Sequence, residues 1–178
     1  NRFQHTFWIF RGVKIMRKPK PLLTYEAVKE KALRLLEFRS HSENELRNKL
    51  RMAQANDEHI DSVISFCKEY GFINDMAYAT HKANDLINLK KFGIRRIKNE
   101  LKAKGIADHI IDTVMENLDK YSEKDTLITL VDKKLKGDFS DKSKDKCLRY
   151  FIYRGYDLYD IKNAITLIEE GFEFDDEL

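Results

Sequence analysis

The residues best placed to do chemistry are the cations of segment 90–104, KKFGIRRIKNELKAK, where seven basic side chains accompany the single acid Glu100. On a helix Arg95, Lys98 and Lys102 (i, i+3, i+7) share one face, with Lys91 a turn earlier and Arg96 at its flank. Ile94, Ile97 and Leu101 fall on the opposite, apolar face. Cations arranged in this way do no covalent chemistry. They attract phosphates through long-range forces and counterion release, or meet acidic surface on a protein. Arg47, Lys49 and Arg51 occupy the corresponding helix earlier in the chain, and Arg149 and Arg154 the corresponding helix later. Singly, each is as readily a solubilising residue as a contact. As a set they predict a basic strip.

No enzyme signature competes with that reading. His5, His41, His59, His81 and His109 never pair at i, i+4, and none has zinc-ligand spacing to a cysteine or another histidine, so no metal or other cofactor is expected. Cys67 and Cys147 belong to no CxxC motif, and Cys147 takes an apolar register position that reads as a core thiol. The glycines stand singly at helix ends rather than in a phosphate-cradling loop. A protein without catalysis is the expectation. Tyr70, Phe72, Tyr78, Phe92, Phe151, Tyr153 and Tyr156 lie near turns and junctions; core packing is the expected use, with base stacking by an exposed Tyr as the alternative. No recognition helix with base-reading side chains stands out, which argues against sequence-specific DNA binding.

Bulk composition frames these candidates. Charged residues make up 35% of the 178, above the ~25% usual for globular chains, and only seven Gly and two Pro interrupt them. Much surface per residue and few breakers predict an elongated helical protein. The net charge of +3 is small, but it is polarised: residues 1–21 carry cations and no acid, whereas the end carries Glu169, Glu170, Glu173, Asp175, Asp176 and Glu177. No apolar run reaches the ~18 residues of a membrane span, and residues 1–15 lack the organisation of a secretory signal. With unpaired cysteines, this predicts a cytoplasmic protein without membrane contact.

The elements that position the cations recur. Leu46/Leu50, Ile97/Leu101 and Cys147/Phe151 are equivalent apolar pairs, and the turn positions Gln54, Gly105 and Gly155 follow one another at 51 and 50 residues. Nine and thirteen residues beyond those turns stand Val63 and Cys67, Val114 and Leu118, and Ala164 and Ile168. A shared register of stripes and turns predicts a tandem array of three-helix units, all-α, in an elongated curved solenoid. The expected divisions are 1–23, an N-terminal extension and linker holding an aromatic strand or hairpin over 3–15; repeats over 24–73, 74–121 and 122–172; and an acidic tail at 173–178. Thr24, Ser42 (in an S-x-x-E capping box with Glu45), Asp57, Asn74 or Asp75, Asp108 and Asp157 are the expected helix caps.

The runs ALRLLEFRSHSENELRNKL, YGFINDMAYA and KKFGIRRIKNELKAKGI resemble the RecX family of bacterial regulators of the RecA recombinase, over roughly residues 25–170. The sequence departs from that pattern at Gln54, where the family usually has glycine, and in its aromatic N-terminal stretch. The resemblance implies a non-catalytic monomer that binds the RecA–DNA filament and limits filament growth, strand exchange and ATP hydrolysis. Single- or double-stranded DNA, bound without sequence specificity, is a further expected partner. Two other classes stay open on the residues alone: a sequence-independent DNA-binding repeat protein without a recombinase partner, and a plain helical scaffold.

Overall fold

The computed structural model describes residues 24–118 and 123–171. The strand or hairpin expected over 3–15 and the acidic tail at 173–178 lie outside the described residues. Nine α-helices run in order among the described residues: α1 (Tyr25–Phe38), α2 (Glu43–Met52), α3 (Asp57–Glu69), α4 (Asp75–Asn88), α5 (Ile94–Ala103), α6 (Asp108–Glu116), α7 (Glu123–Leu135), α8 (Asp141–Tyr153) and α9 (Leu158–Glu169). The fold is the expected all-α array of three three-helix repeats.

Each repeat closes its own core. Leu46 and Leu50 of α2 pack with Val28, Ala32, Ile60, Val63, Ile64 and Cys67. Their counterparts Ile97 and Leu101 pack with Ala79, Ala83, Ile111 and Val114, while Cys147 and Phe151 pack with Leu127, Val131, Ile161 and Ala164. The extensive helix–helix contacts all fall within a repeat. Units of this size bury a smaller fraction of their surface than larger domains do and are marginal alone, so the junctions between them carry stability as well as shape.

Both junctions use the same device. The start of one middle helix docks on the C-terminal turn of the next repeat's middle helix. At the first, the Ser42 hydroxyl donates to the Lys104 carbonyl at 2.7 Å, and the Glu43 amide donates to Asp75 Oδ1 at 2.8 Å. At the second, the Gly93 amide donates to the Arg154 carbonyl at 2.9 Å, and the Ile94 amide donates to Glu123 Oε1 at 2.7 Å. In each case a first-turn amide that its own helix leaves unpaired finds the first carboxylate of the following repeat. The middle helices therefore meet at their ends, not side by side as simple stacking of equivalent helices predicts.

Gly105 (φ +73°) and Gly155 (φ +93°) occupy the docking turns, and a Cβ on either would collide with Asn44 or with Arg96. Gln54 has the same left-handed backbone (φ +59°). Among the described residues no helix precedes α1, and the turn at Gln54 has no counterpart of the close approach made at Gly105 and Gly155.

Several caps fall where expected: Thr24 accepts from the Ala27 amide, Asn74 from Ala77 and Asp157 from Tyr159. Two move by one residue. Asn56, not Asp57, caps α3, accepting from Glu58 and His59. Ala107 precedes α6 with no side-chain cap, and Asp108 is the first helical residue. The capping box is half formed. Ser42 accepts from the Glu45 amide, but the Glu45 carboxylate turns to Arg39 and Lys104.

Candidate partner-binding basic surface

The structure sorts the ten candidate cations into three kinds. Some are neutralised within their own repeat. Arg47 bonds both Glu43 (2.9 Å) and Asp61, and Arg51 bonds Asp57 at 3.0 Å. Lys98 pairs with Asp112 at 3.2 Å and Lys102 with Asp108 at 2.9 Å, both acids on α6. The hydrogen bond to Asp108 raises the pKa of Lys102 above the ordinary lysine value, so it stays cationic at any physiological pH. The exposed pairs of Arg51, Lys98 and Lys102 are screened by solvent and contribute little to stability.

Others build the second junction. Arg96 lies over Phe92 at 5.6 Å and over Tyr153 at 5.4 Å, and its guanidinium also pairs with Glu100 at 2.8 Å. Arg154 lies over Phe92 at 5.1 Å and over Tyr150 at 5.2 Å, and donates to the Lys91 carbonyl at 3.3 Å. Phe92 thus stands between two guanidinium groups from different repeats, a cation–π contact that holds charge and fold together.

Lys49, Lys91, Arg95 and Arg149 make up the third kind, forming no ion pair among the described residues; Lys91, Arg95 and Arg149 are exposed and Lys49 half-exposed. Lys91 does not share the α5 helix. It precedes Gly93, the N-cap of α5, in a left-handed backbone (φ +51°), with its carbonyl also accepting from the Tyr156 hydroxyl at 3.1 Å.

Several functional parts carry no sequence signal as strong as the basic run. Asp75 and Glu123 look like ordinary first-turn acids until their bonds across the junctions are seen. Burial pushes both carboxyls above their ordinary pKa values. Tyr156 is fully buried, as is Phe151, in line with core use, whereas Tyr70 (62% exposed) and Tyr153 (73%) are at the surface. Glu45 joins repeats one and two. Arg39 binds it with two hydrogen bonds (2.7 and 3.1 Å) and holds its carboxyl down to about 2, with Lys104 3.5 Å away. Among the described residues no cluster of three His, Cys, Asp or Glu side chains is set to hold a metal ion, and no helix is long and apolar enough to cross a membrane.

The repeat geometry matches known proteins. Residues 29–67 fit the family description "RecX, first three-helix domain" and residues 74–115 "RecX, second three-helix domain". The "Regulatory protein RecX" of Clostridioides difficile (strain 630) is 32% identical over 96% of this chain and 84% of its own length. The chain belongs to the RecX family.

A second RecX, from Clostridium beijerinckii, is 39% identical over 72% of this chain, and the match spans 62% of that protein. RecX of Vibrio campbellii is 33% identical over 80% of this chain and 92% of its own. The crystal structure of RecX from Lactobacillus salivarius superposes with a TM-score of 0.69 at 23% identity, covering 82% of this chain and 96% of that one. At that identity the likeness speaks for the fold. These relatives are named regulatory proteins, which accords with the absence of an enzyme motif in the sequence.

Proposed function

We propose that this chain is a cytoplasmic, non-catalytic regulator that binds RecA filaments and restrains their extension, ATP hydrolysis and strand exchange. Membership of the RecX family is the observation that carries the reading. The basic face fits it physically. Lys49 and Arg95 lie on middle helices joined end to end, so their charges are strung along the array rather than gathered at one spot. Lys98 and Lys102 sit beside Arg95 in pairs weak enough to be exchanged for carboxylates on a partner. An extended array with spaced cations suits a repeating partner, because successive repeats can meet successive protomers and each contact raises the effective concentration of the next.

Charge reversal tests the site. Arg95→Glu, Lys98→Glu and Lys102→Glu together weaken inhibition of RecA ATP hydrolysis by at least about tenfold, the scale of losing a few complementary charge contacts. The helical melting transition moves by only a few degrees, since each lost ion pair is an exposed one. Inhibition equal to the parent's rejects this face as the contact.

A further inference from the structure

A second concentration of positive charge lies off the α5 face. Where the α4–α5 turn meets α7 and the last turn of α8, the structure forms a cleft of about 270 Å³ lined by Lys90, Lys91, Lys133, Lys134 and Arg154. No acid lines it. Most basic groups of α2 and α5 are paired with carboxylates, whereas these five converge with no carboxylate among the described residues. We propose that this cleft, between repeats two and three, takes the sugar–phosphate backbone of a single-stranded nucleic acid.

The arrangement of donors and acceptors favours that occupant. Lysine and arginine side chains only donate. The Tyr150 hydroxyl already accepts from Arg154 at 3.1 Å, and the Lys91 carbonyl already accepts from both Arg154 and Tyr156. A peptide would bring amide donors to a site whose lining offers few free acceptors. A phosphodiester brings acceptors alone. The cations are also held in place: Lys134 Nζ lies 4.4 Å from the centre of the Tyr150 ring, and Arg154 lies 5.2 Å from the same ring. Lys91 is fixed in its left-handed turn by the two bonds to its carbonyl, which presents the Lys90–Lys91 pair at the rim. Leu89, 75% exposed, and Leu130 supply apolar surface for a sugar between charged walls. A concave site of this size accepts one strand.

The proposal deepens the regulatory reading, giving the array a hold on the strand inside a filament, but its test uses no recombinase. Either can therefore fail alone. Binding of a fluorescein-labelled oligodeoxythymidylate to the full chain is followed by anisotropy over a salt series. The variant Lys90→Gln, Lys133→Gln, Lys134→Gln is expected to lose about tenfold in affinity at low salt, and its log–log salt slope to fall by about 2, at about 0.7 per phosphate contact removed. Lys31→Gln, Lys142→Gln, Lys162→Gln removes the same charge from exposed positions outside the cleft and is expected to retain most of the slope. The proposal is overturned if the parent does not bind, if the cleft variant keeps the parent slope, or if the two variants lose equally. Displacement of the strand by polyglutamate as effectively as by unlabelled oligonucleotide overturns it in favour of an acidic peptide.

Discussion

At the scale of single residues, the junction glycines have two separable duties. Gly105 and Gly155 adopt a left-handed backbone and admit a neighbouring repeat, whereas Gln54 does only the first. Gly155→Ala therefore incurs the left-handed cost of about 1–2 kcal/mol and a collision with the Arg96 backbone. We expect it to lose at least about 2 kcal/mol in urea denaturation. Gln54→Gly relieves the backbone with no neighbour to disturb and should gain up to about 1 kcal/mol. A loss at Gln54, or no cost at Gly155, contradicts this division. Gly93 adds a third close approach, since a Cβ there would lie 2.5 Å from the Gly155 carbonyl oxygen.

At the scale of elements, charge ties the turn before α2 to the end of α5 through Glu45. Its carboxyl, held at about 2 by Arg39, favours the folded state above the ordinary glutamate range; that contribution fades as pH falls from about 4.5 toward 2. Arg39 is 44% exposed, so screening limits the effect to about 1–2 kcal/mol. Glu45→Gln should be less stable than the parent by that amount at neutral pH, with the gap shrinking below about pH 4.5 and mostly gone by about pH 2, as read from chemical denaturation at each pH. A gap that stays at its neutral-pH size down to pH 2 would mean the loss is not electrostatic. Asp75 and Glu123 have the opposite sign. Burial raises their pKa values, so each favours the folded state less as pH rises from its ordinary value through the raised one.

The helices themselves were legible in the sequence because local rules govern them. The stripes Leu46/Leu50, Ile97/Leu101 and Cys147/Phe151 are buried as their spacing requires, and Thr24, Asn74 and Asp157 cap as their side chains allow. Asp57 and Asp108 misled because two adjacent positions suit a cap or a first turn, and only the backbone decides between them. The Glu45 carboxylate left its capping box because Arg39 and Lys104, the latter 59 residues away, compete for it more strongly.

At the scale of the whole molecule, periodicity foretells how many units there are but not how they touch. The end-to-end junctions rest on Ser42 with Lys104, Gly93 with Arg154, and the first carboxylates of α4 and α7, pairs too distant in sequence for any local signal. The same distance hid the sorting of the cations. The charges of α5 were visible as a run, but the α6 acids that neutralise Lys98 and Lys102, and the gathering of Lys90, Lys91, Lys133, Lys134 and Arg154 around one cleft, depend on how the chain returns. Arg96 and Arg154 read as surface charge and prove to be built into a junction.

The regulatory account is tested most directly by DNA-dependent ATP hydrolysis of RecA, with filaments preassembled on saturating single-stranded DNA and this protein then added in increasing amounts. The account predicts a decline at amounts well below one per RecA protomer, undiminished when further DNA is supplied. No decline, or a decline that extra DNA fully relieves, would contradict action on the filament and leave competition for DNA as the activity of this repeat array.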